Sequence, residues 1–280
     1  MNIGARIGLP IGDATRSAFG DTLAELGAEY PSLVVVDGDV GNSTYTERFG
    51  RRYPERFFNV GITESNMVGV AAGLALSGHI AVTSSFASQM GIEDLALMCA
   101  VPGMVVLSPA DAASARVLTR QMIAHVGPVY MRTGRPKVPV IYPADPDLQI
   151  GRAETIRQGG DVTLIATGLM VAAALEAAHD LARDGVEARV LDVHTVKPID
   201  RAAVVAAARE TGGIVTAESH LLNGGLGSMV ARVVAREAPC RMGFVGLDDT
   251  YAESGKPDDV LAKFGLSAAA IAAEARRVLG

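Results

Sequence analysis

Glu64 is the residue whose type and position most clearly suggest chemistry in this sequence. The apolar run 57–60 ends in Gly61, and a single acid follows where a helix of small residues begins. Apolar residues then recur at the spacing of one helix face: Met67, Val70, Ala71 and Leu74. We predict Thr63 as the N-cap of this helix. Glu64 then lies at the carboxyl end of a predicted parallel strand, where open α/β sheets bind ligands.

Two roles are open to Glu64 on these grounds. An acid in the first turn complements the helix dipole, a structural role worth about 0.3–1 kcal/mol. Alternatively, apolar neighbours such as Ile62 and Val68 form a pocket that shields the carboxyl group from water. A shielded carboxyl group can exchange a proton with a ring nitrogen of a ligand. Composition does not decide between the two roles.

A second set of polar side chains falls at predicted strand ends and helix starts. Arg16 lies in the first turn of the first predicted helix, and Asp39 and Ser43 lie in the loop after the first strand. Arg132 and Arg135 follow a later strand and could form a fork for a phosphate. The structural alternatives are a solvated arginine, a turn aspartate bonded to its own backbone, and ion pairs with neighbouring acids.

Apolar runs alternate with amphipathic segments along the chain, which predicts strands that alternate with helices. Continuous apolar strands such as 34–36 indicate sheets covered on both faces. The predicted fold is α/β, with two parallel or mostly parallel sheet domains flanked by helices. We place the domains at 1–140 and 161–280, joined by a proline-rich linker at 141–160.

Composition excludes several classes of function. The 280 residues are 49% hydrophobic and 20% charged, as in ordinary globular proteins, and the formal charge of −6 argues against binding to nucleic acid or anionic membranes. Cys99 and Cys240 form no metal-ligand pair and fit a reducing cytoplasm. No signal peptide and no apolar run of about 20 residues is visible. We expect a cytoplasmic protein.

Residues 56–76, RFFNVGITESNMVGVAAGLAL, resemble the pyrimidine-binding domain of the transketolase family. Three further segments are similar to that family: ATRSAFGDTL, GPVYMRTGRP and ESHLLNGGLGSMVA. The resemblance covers nearly the whole chain. It implies a pyrimidine-binding domain followed by a transketolase C-terminal domain. The glycine run 223–228 would then serve a tight turn into a helix rather than a phosphate loop.

The resemblance implies roles for individual residues. In the family, the glutamate that matches Glu64 binds N1′ of the aminopyrimidine of thiamine diphosphate and promotes removal of the thiazolium C2 proton. The cofactor-binding residues implied here are Glu64, Asp39, Ile62 and Phe86. The implied contacts to the substrate phosphate are Arg16, Ser43 and Arg135. No metal ligand is implied in this chain.

One block of the family pattern is missing. Family members have about one helix and one strand, a few dozen residues, where Met90 and Gly91 are adjacent here. The block carries sugar-binding residues and an aromatic that stacks on the aminopyrimidine; Gln89 stands where that aromatic is expected. The block is either omitted from the sequence as given or truly absent, which would leave the cofactor pocket open on one side.

The resemblance implies the small subunit of a split, heteromeric transketolase. A larger N-terminal subunit would hold the diphosphate through Mg²⁺ or Ca²⁺, the assembly would be a heterotetramer, and the pair would move a two-carbon ketol unit between phosphorylated sugars. One alternative is a related thiamine enzyme: the beta subunit of a 2-oxo acid dehydrogenase or a deoxyxylulose phosphate synthase. The other alternative, motivated by the missing block, is a non-catalytic partner subunit.

Overall fold

The computed structural model describes residues 3–86 and 91–280; Gln89 and Met90 lie outside these ranges. The first half of the chain alternates helices and strands: α1 (Thr15–Glu29), β1 (Leu33–Asp37), α2 (Gly41–Thr44), α3 (Glu47–Arg52), β2 (Phe57–Asn59), α4 (Glu64–Leu76), β3 (Ile80–Ser84), α5 (Asp94–Ala100), β4 (Val105–Leu107), α6 (Ala112–Ala124) and β5 (Val129–Met131).

The second half continues the alternation: β6 (Glu154–Arg157), β7 (Val162–Ala166), α7 (Met170–Arg183), β8 (Ala188–Asp192), β9 (Thr195–Lys197), α8 (Arg201–Glu210), β10 (Ile214–Leu221), α9 (Leu226–Glu237), β11 (Met242–Leu247), α10 (Pro257–Lys263) and α11 (Ala268–Leu279). No helix in the described ranges is long and apolar enough to cross a membrane.

The sheets are mostly parallel, as predicted. In the first half, β1 pairs in parallel with β2 and β3, and β4 pairs in parallel with β5. The second half forms a five-stranded sheet in the order β11-β10-β7-β8-β6, in which only β6 is antiparallel. The α/β fold class is therefore confirmed. All five residues of β1 are buried, as expected for a strand covered on both faces.

Two strands cross the predicted division of the chain. β6 lies inside the segment predicted as a linker and pairs with β8 of the second sheet. β9, from the second half, pairs antiparallel with β4 of the first half. Short antiparallel strands of this kind lack the long apolar run that makes a buried parallel strand visible in a sequence. The two halves therefore share backbone hydrogen bonds.

Helix starts illustrate how far local sequence decides structure. Asp111 caps α6, because its carboxylate accepts from the Ser114 N–H at 2.8 Å and the Ser114 hydroxyl accepts from the Asp111 N–H at 3.0 Å. Thr63 is the N-cap residue of α4, as predicted, but its side chain makes no capping hydrogen bond. Its hydroxyl instead donates to the Val60 carbonyl at 3.0 Å, so it accepts nothing from the first turn of α4.

Buried polar side chains join the two halves. Asp94, at the start of α5, accepts from the Tyr130 hydroxyl at 2.6 Å and pairs with Arg132 Nε at 3.2 Å. Arg132 Nη1 also donates to the Ser219 carbonyl at 2.9 Å. The His220 ring accepts from the Ala96 N–H at 3.4 Å. His220 therefore lies at the interface between the two halves.

A second buried pair spans the joint. Asp192, at the end of β8, accepts from the Tyr142 hydroxyl at 2.7 Å, and its other oxygen has no hydrogen-bond partner. Burial raises the pKa of this carboxyl group from 3.8 to about 8. The folded protein thus holds a proton on Asp192 at pH values where the unfolded chain has released it. The contribution of Asp192 to the free energy of unfolding therefore falls as the pH rises from about 4 to about 8.

We predict that Asp192→Asn removes this dependence while keeping an acceptor for Tyr142. The free energy of unfolding of the wild type, measured by urea denaturation, should lose about 1 kcal/mol more per pH unit than that of the variant between pH 5 and 7. The difference should level off above pH 8. Parallel pH profiles of the two proteins would contradict a buried, protonated Asp192.

Candidate functional site

Glu64 is the first residue of α4 and is half-buried at the carboxyl edge of the β1–β3 sheet. One side of α4 packs on the sheet through Met67 and Ala71, against Val36 of β1. The apolar shield considered as one alternative for Glu64 is not formed by this chain alone. Ile62 is 69% exposed and Val68 is 58% exposed, because both project from the turn and helix away from the sheet.

The loop after β1 lies against the start of α4. Gly38 faces Met67 and Gly61, so that a Cβ at Gly38 would lie 3.5 Å from the Met67 sulfur. Asp39 follows with a φ of 64°, a left-handed conformation that costs free energy for a residue other than glycine. The loop therefore holds Asp39 beside the turn that leads into Glu64.

Asn59 links this loop to the turn before α4. Its side-chain amide donates to Asp39 Oδ1 at 2.9 Å, and its Oδ1 accepts from the Gly61 N–H at 2.8 Å. Asp39 therefore does not act as the turn aspartate considered from the sequence. That role falls to Asp37, whose buried carboxylate faces the Val40 N–H at 3.2 and 3.3 Å.

Burial raises the pKa of Asp37 above its usual range, and the nearby charge of Asp39 raises it further, whereas hydrogen bonds from the backbone at Val40 and Gly41 oppose the shift. The two acids therefore have different roles. The buried Asp37 stabilises the loop by accepting hydrogen bonds from its backbone, whereas Asp39 is exposed at the edge of the sheet.

Two of the residues predicted to bind phosphate are in direct contact. Arg16 Nη1 donates to the Ser43 carbonyl at 2.6 Å. The Gly134 N–H donates to the Thr15 hydroxyl at 2.6 Å, which places the backbone of Arg135 beside that of Arg16. The structure therefore brings the segments of all three residues to one edge.

The two arginines at the end of β5 have different surroundings. Arg132 is engaged by Asp94 and Ser219, so the structural alternative holds for it. Arg135 is exposed and lines a cleft of about 450 Å³ between the halves, opposite Ser219 and Glu253. Phe86, predicted at the cofactor, follows β3 and is partly exposed.

The glycine run 223–228 is structural, as predicted. Gly224 has a φ of 80°, and α9 begins two residues later. The carboxylate of Glu218 accepts from the backbone N–H groups of Leu226 and Gly227 at 2.7 and 2.8 Å and so occupies the helix N-terminus itself. Burial nevertheless raises the pKa of Glu218 to about 7. A phosphate would have to displace this carboxylate.

Sequence reasoning missed three residues at this edge: Asp37, Tyr45 and Asn59. Asp37 and Asn59 end their strands, and a rule that selects polar residues at strand ends would have found both. No rule of this kind would have found Tyr45. Its importance comes from its contacts with Arg16, which is far from it in sequence, and with Arg48, which lies on another helix.

We predict that Asn59→Ala loosens the turn before α4. The Gly61 amide should exchange with deuterium about three- to tenfold faster, because it loses its acceptor. Asn59→Asp is the matched control: it keeps an acceptor for Gly61 but places a second negative charge against Asp39. That variant should leave Gly61 protected and loosen the loop at Asp39. Unchanged exchange at Gly61 in Asn59→Ala would contradict the assigned link.

Comparison with known proteins places the chain in a family. The model of the transketolase pyrimidine-binding domain matches residues 12–88 and 80–141, and that of the transketolase C-terminal domain matches residues 151–271. The chain is 37% identical to 6-deoxy-6-sulfo-D-fructose transketolase subunit SqwH of a Clostridium species, over 94% of each protein. It is 35% identical to a putative transketolase C-terminal section of Methanocaldococcus jannaschii, over 92% of this chain and 93% of that protein.

A solved structure of a transketolase is similar to this chain in fold and in sequence. A split gene transketolase, described as an inactive beta4 tetramer, superimposes with a TM-score of 0.90 at 41% sequence identity, over 96% of this chain and 98% of that one.

The alignments also bear on the missing block. The two matches to the pyrimidine-binding model overlap at 80–88, just before the point where the block was predicted to be absent. The alignment with the Clostridium subunit spans 301 positions, more than the 280 residues of this chain, so that relative has residues without a counterpart here. Taken together, the two domain matches and the relatives show that the chain belongs to the transketolase family, over its pyrimidine-binding and C-terminal domains.

Proposed function

We propose that this chain is the small subunit of a heteromeric, thiamine-diphosphate-dependent transketolase that transfers a two-carbon ketol unit between phosphorylated sugars. The observation that carries the proposal is the position of Glu64. It begins a helix at the carboxyl edge of a parallel sheet, beside an apolar surface that nothing in the described chain covers. The similarity to subunits of split transketolases supports the same assignment.

The residues around Glu64 fit the aminopyrimidine of thiamine diphosphate, the cofactor of this family. The ring needs one carboxyl group at a ring nitrogen and apolar atoms on its faces. Glu64 provides the former, and Ile62 and Phe86 provide exposed apolar groups for the latter. When bound, the cofactor supplies a nucleophilic carbon that accepts the ketol unit. Glu64 would hold a proton at the pyrimidine, and the Asp39–Asn59 pair would fix the neighbouring loop.

The substrate phosphate would lie at Arg16, Ser43 and Arg135. Arg16 and Ser43 are already in contact, and the bond from Gly134 to Thr15 brings Arg135 to the same edge. Arginine suits this task because its planar guanidinium group can form two parallel hydrogen bonds with a phosphate.

The outer face of α4 supports the proposal of a partner subunit. No charged residue occurs between Glu64 and His79, and apart from Asn66 the exposed residues of α4 are small or apolar. Val68 is 58% exposed and Leu76 is 92% exposed, and a Cβ at Gly69 or Gly73 would meet no atom within 4 Å. Contiguous apolar surface of this kind marks interaction sites. A larger subunit seated here would also complete the shield around Glu64, in a proposed heterotetramer.

We assign the diphosphate and its Mg²⁺ or Ca²⁺ to that partner. Within the described ranges, no group of three or more His, Cys, Asp or Glu side chains is arranged to hold a metal ion. This division would explain why a chain with the pyrimidine-binding residues would need a second polypeptide for activity.

We predict that Glu64→Gln lowers the turnover of the reconstituted pair by about 10²- to 10⁴-fold, because an amide cannot exchange the proton. The measurement is ketol transfer from a ketose phosphate to an aldose phosphate, with the N-terminal section supplied by co-expression. Glu29→Gln, an exposed acid on α1, is the control and should leave turnover unchanged. Full activity of Glu64→Gln would reject the role.

A substrate comparison on the same pair separates the alternatives. Transfer between sugars supports a transketolase, whereas decarboxylation of pyruvate would identify a 2-oxo acid dehydrogenase subunit or a deoxyxylulose phosphate synthase. If calorimetry detects no binding of thiamine diphosphate to the pair, this chain is a non-catalytic partner subunit.

We predict that Val68→Glu prevents assembly, since it buries a charge in the proposed interface. The affinity for the N-terminal section should fall by at least about 30-fold, the scale of a hot-spot residue. Ala28→Glu, at an exposed position on α1, should bind normally. Circular dichroism checks that both variants fold. Normal binding by a folded Val68→Glu variant would place the partner elsewhere.

A further inference from the structure

Tyr45 occupies an unusual position beside Arg16. It ends the short helix α2 with a φ of 64°, the left-handed region that is costly for a side chain of this size. Its backbone packs against Gly20 of α1, where a Cβ would lie 2.5 Å from the Cβ of Tyr45. Because Gly20 is one helical turn after Arg16, both residues present the same side of α1 to Tyr45.

The ring of Tyr45 lies close to two guanidinium groups. The Cζ of Arg48 is 4.1 Å from the ring centroid, and the Cζ of Arg16 is 5.1 Å from it. Both distances fall within the range of cation–π attraction. The ring is half-buried, so this attraction is less weakened by water than at a fully exposed site.

The two arginines differ in their other partners. Arg48 forms an ion pair with Asp21 at 2.7 Å and donates to both the carbonyl and the hydroxyl of Ser17 at 3.1 Å. Arg16 has no acidic partner among the residues that the structure describes. Its Nη1 donates to the Ser43 carbonyl, and its buried Nε has no hydrogen-bond partner. The charge of Arg48 is compensated within the chain, whereas that of Arg16 is left for an anion.

We propose that Tyr45 is a positioning residue that sets the preference for phosphorylated over unphosphorylated sugars. It acts through Arg16, holding the guanidinium group from one side while the Ser43 carbonyl holds it from another. A long, flexible side chain fixed in advance loses less entropy when it binds an anion. This inference rests on the proposed function, because it concerns the same phosphate.

The test compares two acceptors in the reconstituted pair, D-glyceraldehyde 3-phosphate and D-glyceraldehyde. Tyr45→Leu removes the aromatic face but keeps a bulky side chain at the same backbone conformation. We expect the KM for the phosphorylated acceptor to rise about three- to tenfold with kcat unchanged. The values for the unphosphorylated acceptor should stay the same. Tyr45→Phe keeps the aromatic face and should behave as the wild type.

A double variant tests whether Tyr45 acts through Arg16. In an Arg16→Ala background, Tyr45→Leu should cause no further change in the KM for the phosphorylated acceptor. If Tyr45→Leu fails to fold, Tyr45→His, which keeps an aromatic ring and tolerates a positive φ, takes its place. A rise in the KM of this variant for the phosphorylated acceptor is then expected in the Arg16 background, and none in the Arg16→Ala background.

Three results would overturn the inference: an unchanged KM in Tyr45→Leu, an equal loss for both acceptors, or an undiminished effect in the Arg16→Ala background. In each case the wild-type pair still transfers the ketol unit, so the proposed function survives. A wild-type pair that transfers nothing to either acceptor contradicts the proposed function instead.

Discussion

The parallel pairing of β1 with its two neighbours is the constraint on which the candidate site depends. Parallel strands end at the same edge of a sheet, so the loop after β1 and the turn after β2 must meet there. Asp39 and Asn59 are bonded across that meeting point, and Glu64 begins the helix that leaves it. Antiparallel pairing of β1 and β2 would send these side chains to opposite ends of the strands.

The second half of the chain supports this edge through buried polar contacts. Asp94, Arg132 and His220 form one group across the joint, and Tyr142 and Asp192 form another. Burying charged groups costs free energy. Burial therefore favours the neutral forms, which raises the pKa of Asp192 and lowers the pKa of His220. What the contacts provide is orientation. Arg132, held from both halves, fixes the strand end from which Arg135 emerges.

The candidate site is open on the side where the outer apolar face of α4 is exposed to water. A helix that packs one face on its own sheet and leaves a second apolar face in water gains stability when another surface covers that face. On α4 the covered face includes Met67, and the uncovered face includes Val68 and Leu76. Glu64 lies between the two, so a partner on the outer face would also change the environment of its carboxyl group.

The sequence by itself determined the α/β architecture, the start of α4 at Glu64 and the cap of α6 at Asp111. These follow from apolar periodicity and from hydrogen bonds that span three residues, both of which are local. Only the tertiary structure decided that Ile62 and Val68 are exposed and that the Tyr45 ring lies against both Arg16 and Arg48. The physical reason is that each of these outcomes depends on which atoms other elements bring close. Residues such as Arg16 and Tyr45, separated by nearly thirty positions, become neighbours only when α1 packs against the loop after β1.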